Sequence, residues 1–263
     1  MDKANIQDLF NGANEEGDLS NESMAMIHDL DLGVDIQAAM GIPAIDSKTS
    51  EVILLTFLVD DSGSIAAARN EDNIRMGYNL ILDSLLATKQ KDGVYVHTRY
   101  LNGKILHPYM ELTSAPKLDT SNYWADGWTP LYDQTAAILA TVYAKTREYS
   151  LNGITARSVT VIITDGNDQG SRKYDANDIK PLVDDMLKDE VHIIAAMGID
   201  DGGTDFNTVF TRMGLNPKWI LTPNNSEHEI RQAFRTVSQS AVRASQTAAN
   251  FQATAAGGFG NNP

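Results

Sequence analysis

Residues 51–65 read EVILLTFLVDDSGSI, and this stretch decides the fold. Val52 to Val59 is a continuous apolar run, the pattern of a central parallel strand covered on both faces. It runs into the polar loop Asp60-Asp61-Ser62-Gly63-Ser64. Beyond that loop Ile74, Tyr78, Ile81, Leu82 and Leu85 recur at helical spacing. A buried strand followed by a loop and a helix is the repeating unit of an α/β protein, which places its ligands at the carboxyl ends of its strands.

The rest of the chain extends this unit. Val94 to Tyr100 alternates as a strand, Asn102-Gly103 is a hairpin signal, and Lys104 to Leu112 is the returning antiparallel strand. Residues 113–128 form a long loop, and Thr129-Pro130 opens a helix to about Glu148, with proline at its favoured first position. Ser158 to Thr164 reads as a second buried strand, 166–176 as a polar loop and 177–189 as a helix. Val191 to Ile199 is a strand, 204–213 a short helix and Lys218 to Thr222 a short last strand. Ser226-x-x-Glu229 forms a capping box ahead of an amphipathic helix carrying Ile230, Phe234, Val237 and Ala241. This order predicts a doubly wound, Rossmann-like, mostly parallel six-stranded sheet with one antiparallel edge strand and helices on both faces.

Composition divides the chain into three parts. Residues 1–48 are read as an acidic extension, disordered over 1–18, with a broken helical pattern from Ser20 to Met40. Residues 1–50 hold ten Asp and Glu against two Lys, more than half of the net charge of −14. Residues 49–246 are the folded domain, and 247–263 an Ala/Gly/Asn-rich tail expected to be flexible. The acidic balance disfavours nucleic acid and anionic membrane surfaces. No apolar stretch reaches the ~18 residues of a membrane helix, and the N-terminus has no signal-peptide pattern. The chain has no cysteine, so no disulfide or thiolate site can form, and a cytoplasmic location is expected.

Five oxygen-bearing residues lie at strand ends or helix starts: Asp60, Ser62, Ser64, Thr129 and Asp165. Carboxylates and hydroxyls are hard ligands that suit Mg²⁺ or Mn²⁺ rather than zinc or copper. Gly63 permits a tight backbone, and Ser62 and Ser64, two apart in an extended turn, can point the same way. Asp-x-Ser-x-Ser, then Thr in a Gly-x-Thr-x-Leu context, then Thr-Asp-Gly after an apolar strand resembles the von Willebrand factor type A (vWA) domain. The resemblance covers roughly residues 50 to 245. It implies a metal-ion-dependent adhesion site (MIDAS) at those five positions. Ser62, Ser64 and Thr129 would bind the metal directly and Asp60 and Asp165 largely through water. One coordination position would be left for a partner's Asp or Glu.

Neighbouring residues receive blander readings. Asp61 is read as a solvated loop residue, and Asp168 and Asp200-Asp201-Gly-Gly-Thr-Asp205 as turns and caps. The five histidines lack metal-site spacing. Trp124 and Trp128, flanking the loop before Thr129, are candidate partner-binding residues, since aromatics are enriched in interface hot spots.

No nucleophile elbow, catalytic cysteine or phosphate-binding loop is present. The leading expectation is a non-enzymatic interaction module binding a partner's acidic residue through Mg²⁺ or Mn²⁺. The resemblance points to an intracellular bacterial, archaeal or phage adaptor, beside an AAA+ ATPase or in a tellurium-resistance-like system. The alternatives are a metal-dependent hydrolase or phosphatase, and a structural subunit of a phage or cell-surface assembly.

Overall fold

The computed structural model describes residues 2–89 and 91–260. Before the first strand lie two helices, α1 (Lys3–Glu16) and α2 (Asn21–His28). The sheet and its helices then run β1 (Glu51–Val59), α3 (Gly63–Ala67), α4 (Glu71–Leu86), β2 (Val94–Tyr100), β3 (Ile105–Glu111), α5 (Leu131–Leu151), β4 (Thr155–Thr164) and α6 (Ala176–Lys188). β5 (His192–Gly198), α7 (Phe206–Arg212), β6 (Ile220–Leu221), α8 (Glu227–Gln246) and α9 (Ala248–Gly257) complete the chain.

The six strands lie in the order β3-β2-β1-β4-β5-β6, with only the β2–β3 pair antiparallel. This is the mostly parallel, doubly wound architecture that the order of elements predicts and that the resemblance to vWA domains implies. β1 is central, and Val52 to Val59 is buried throughout because helices cover both faces. Its side chains alternate between two cores. Leu55, Phe57 and Val59 face α4 and α8, while Leu58 faces α5 and α6. α4 and α8 approach closely because Gly77 has no side chain: a Cβ there would lie 2.1 Å from the Phe234 ring.

Both chain ends depart from the sequence expectation. The segment read as disordered forms α1, capped by Asp2 and closed by Gly17 in the left-handed region. Ile6, Leu9, Phe10 and Ala13 recur on one face of it and are buried, with Phe10 stacked on Tyr143 of α5 at 6.3 Å. The low hydrophobicity of residues 1–18 is real, but what little is apolar falls on a single stripe. α5 is therefore sandwiched between the sheet and this arm, which is why fifteen of its residues are buried, Lys145 and Glu148 among them. Residues 248–257, in the tail expected to be flexible, form a helix. Thr247 ends α8 and caps α9, Phe251 is buried, and Phe259 packs edge-on against Trp219 at 4.8 Å. The expectation for the last three residues lies outside the described ones.

Smaller differences have local causes. The capping box before α8 is half formed: Ser226 accepts the Glu229 amide at 3.4 Å, but the Glu229 carboxylate turns to the amide of Asn224. Among the described residues, no helix is long and apolar enough to cross a membrane.

Candidate metal centre

Parallel pairing sets Val59 of β1 beside Ile163 of β4, so Asp60 and Asp165 emerge together at the carboxyl edge of the sheet. The Asp60 amide donates to the Ile163 carbonyl at 2.9 Å. Asp60 Oδ1 accepts the Ser62 amide at 2.8 Å, and Oδ2 accepts the Thr164 hydroxyl at 2.6 Å. Ser62 caps α3 with extended backbone, and Ser64 lies in the first turn of that helix. Their hydroxyl oxygens are 2.9 Å apart, and Ser64 donates to Asp165 Oδ1 at 2.6 Å. The sequence reading put both serines in an extended turn. The helix instead begins at Gly63, and the change from extended to helical backbone brings the hydroxyls to one side.

Four of the five expected residues thus form one hydrogen-bonded group. Thr129 does not enter that chain of hydrogen bonds, although it is buried and its segment is pinned to the same loop. Gly127 pairs with Ser62, and its carbonyl accepts the Gly63 amide at 3.0 Å. The Thr129 carbonyl accepts the Gln169 amide at 2.9 Å, tying the loop after Asp165 to the start of α5.

Electrostatics set these carboxylates apart. Burial raises the Asp60 carboxyl above its ordinary range, opposed by hydrogen bonds from Ser62 and Thr164. Burial pushes Asp165 up to about 6, opposed by Ser64 and reinforced by the charges of Asp60 and Asp201. No lysine or arginine among the described residues forms an ion pair with either. Two adjacent, desolvated carboxyls are costly to ionise unless a cation joins them. Hydroxyl and carboxylate oxygens converging on such a point fit a hard divalent ion. Among the described residues, no group of three or more His, Cys, Asp or Glu could hold a metal, so any ion here depends on the hydroxyls as well.

Asp61 requires a correction. It is not a solvated loop residue: only 2% of its surface is exposed. Burial pushes its carboxyl up to about 7, opposed by the Asn102 amide and reinforced by the Asp60 and Asp126 charges. Two residues outside the expected ligand set also support the site. Thr164 orients Asp60, and the buried Tyr123 hydroxyl donates to the Asp60 carbonyl at 2.6 Å. Thr164 stood in the quoted Thr-Asp-Gly motif and could have been found there. Nothing local marks Tyr123, whose partner is 63 residues away.

Trp124 and Trp128 are 50% and 74% exposed, and Lys104 lies over the Trp124 ring at 5.1 Å. Asp168 accepts the Tyr132 amide at the start of α5, and Asp201 and Asp205 accept amides of their own turns. His97, His107 and His192 are buried and held by carbonyl or hydroxyl partners, the pattern of structural histidines.

No protein-family model matches the chain, and no curated protein sequence matches it. Some solved structures are similar to it. The pilus adhesin SpaC of Lactobacillus rhamnosus GG aligns at TM-score 0.51 and 11% identity, over 73% of this chain and 31% of that one. Proximal thread matrix protein 1 from the mussel byssus aligns at 0.48 and 15%, over 73% and 46%. One structure of that protein has a zinc-occupied MIDAS motif. Manganese-loaded TRAP of Plasmodium vivax aligns at 0.42 and 20%, over 70% and 74%. The chain spans less than half the length of the byssus protein and of SpaC.

Proposed function

We propose that this chain is a non-enzymatic interaction module that binds an acidic side chain of a protein partner through a divalent ion, Mg²⁺ or Mn²⁺. Asp60, Ser62, Ser64, Thr129 and Asp165 would hold the ion. Its contribution is a positive charge, little neutralised by hydroxyl ligands, that accepts a carboxylate from outside. The observation that carries this reading is the pair of buried carboxylates, without a cation, linked through the Ser62 amide and the Ser62 and Ser64 hydroxyls at the carboxyl edge of the sheet.

The surroundings narrow the partner. Trp124 and Trp128 offer exposed aromatic surface close by in the chain, while Asp126 and Asp201, whose charges act on Asp61 and Asp165, make the rim acidic. One carboxylate on the metal is favourable there, but further acidic residues would be repelled. The partner segment is therefore an isolated Asp or Glu among apolar and basic residues. The absence of cysteine suits an adaptor within an intracellular assembly, such as one with an AAA+ ATPase or a tellurium-resistance-like system.

Capture from native lysate by wild type and Asp60→Ala, each in Mg²⁺ and in EDTA, tests the reading. A protein retained only by wild type in Mg²⁺ is the expected result. Equal retention under all four conditions, with both proteins folded, would overturn it.

A further inference from the structure

Asp61 joins three separate segments. Its carboxylate Oδ1 accepts the Asn102 amide at 3.0 Å, in the turn between β2 and β3. Its carbonyl accepts the amides of Asp126 and Gly127 at 3.0 and 2.9 Å, in the loop that carries both exposed tryptophans. Its own chain neighbours are Asp60 and Ser62 of the metal loop. Gly127 is the close point of this junction, because a Cβ there would lie 3.3 Å from the Asp61 carbonyl and 3.5 Å from Asn102. The turn is then tightened by Asn102, whose side chain accepts the Lys104 amide at 2.7 Å. Lys104 in its turn covers the Trp124 ring. A closed circuit runs from Asp61 through Asn102, Lys104 and Trp124 to Gly127 and back.

A buried carboxylate with no cationic partner is an expensive way to hold a turn. Asparagine could accept the same amide without a charge. The position makes sense when the loop beside it carries a divalent ion, whose field favours a nearby negative charge. We propose that Asp61 is the positioning residue that fastens the β2–β3 turn and the tryptophan loop to the metal loop. Lys104, Trp124 and Trp128 then stand as one preformed contact surface whose rigidity depends on the bound ion. This rests on the metal-dependent reading above and adds a second, preorganised contact to it.

Amide hydrogen exchange with Mg²⁺ alone tests the idea without a partner, alongside calorimetric measurement of Mg²⁺ binding. In wild type, saturating Mg²⁺ slows exchange at Asn102, Asp126 and Gly127 by about tenfold or more. In Asp61→Ala the slowing at Asn102 disappears even at saturating Mg²⁺, whose affinity falls because a neighbouring negative charge is lost. Asp61→Asn keeps the hydrogen bond to the Asn102 amide but not the charge, so Asn102 exchanges slowly already without Mg²⁺ and gains less from its addition. Undiminished slowing at Asn102 in Asp61→Ala would overturn the proposal. If wild type binds no Mg²⁺, the metal reading fails. The fastening is then judged without metal, standing if Asn102 exchanges about tenfold faster in Asp61→Ala than in wild type and falling if the rates agree. Should Asp61→Ala not fold, Lys104→Ala at its exposed position serves instead. With 5-fluorotryptophan incorporated, the Trp124 signal should lose its response to Mg²⁺ while Trp128 keeps its own. An unaltered Trp124 response would count against the circuit.

Discussion

The N-terminal arm and the metal edge are both rich in acidic residues, and they use them in opposite ways. In the arm several acids meet cations. Glu16 and Asp18 pair with Arg147 at 2.5 and 3.0 Å, and Asp31 pairs with Lys3 at 3.1 Å. At deeper contacts the main domain supplies buried cations to the arm's backbone: Arg99 donates to the Asp35 carbonyl and Lys145 to the Ile42 carbonyl. Asp185 receives the Ser20 amide and both the Ser20 and Ser23 hydroxyls at 2.6–2.8 Å. Every such charge has its counterpart inside the chain. At the metal edge Asp60, Asp61 and Asp165 are buried with hydrogen-bond donors but no cation. Self-satisfied charge builds structure, whereas charge left without its counterion marks a place for something from outside.

The strongest way to break this comparison is to remove the arm. Deleting residues 1–48 strips Ile6, Phe10, Ile27 and Ile36 from the core and leaves Arg99 and Lys145 buried without their carbonyl partners. Burying one such side chain is worth about 1.5–3 kcal/mol, so the four together are comparable to the stability of an ordinary domain. The truncated chain should show no cooperative thermal transition; a sharp transition near that of the full chain would make the arm an accessory.

A narrower cut distinguishes the two kinds of charge. Lys145→Ala leaves Glu148 buried and unpaired, and should lower stability by about 3–5 kcal/mol with no dependence on Mg²⁺. Asp60→Asn should do the reverse. It removes a desolvated charge, so the metal-free protein is as stable as wild type or more so. The stabilisation by Mg²⁺, about 2.7 kcal/mol at a hundred times the dissociation constant, should vanish. Denaturant unfolding of both variants with and without Mg²⁺ reads these effects, and an equal Mg²⁺ response in wild type and Asp60→Asn would erase the distinction.

The smallest effect is an acid response that has nothing to do with the metal edge. His192 lies at the opposite end of the sheet, bonded to the Ser158 hydroxyl at 2.7 Å, and burial lowers it to about 4. The folded protein keeps it neutral where the unfolded chain, titrating near 6.5, takes up a proton. Its contribution is therefore complete above about pH 6.5 and is lost as pH falls towards 4. Relative to His192→Asn, wild type should lose about 1 kcal/mol between pH 6.5 and 5.5. Comparison with the variant cancels the buried carboxylates, whose raised values act in the opposite sense. Parallel pH profiles would show that His192 carries no such linkage.

Much of this was legible in the chain. The strands, the long helices and the antiparallel edge follow from apolar periodicity and from Asn102-Gly103, because those signals act within a few residues. The convergence of Asp60, Ser62, Ser64 and Asp165 followed from strand ends sharing one edge of a parallel sheet. The misjudged pieces depend on distant partners. Asp61 looked solvated because its neighbours are polar, yet Asn102 and Gly127 cover it. The arm looked disordered because its few apolar residues gain stability only against α5. Tyr123 and Lys145 gave no local sign of their roles.

The sequence by itself determined the type and order of the elements and the identity of the hard oxygen donors, since backbone propensity and ligand chemistry belong to each residue. The tertiary structure alone decided which charges are met within the chain and which are left unpaired. That distinction is one of solvation, and solvation is set by whatever the fold brings near.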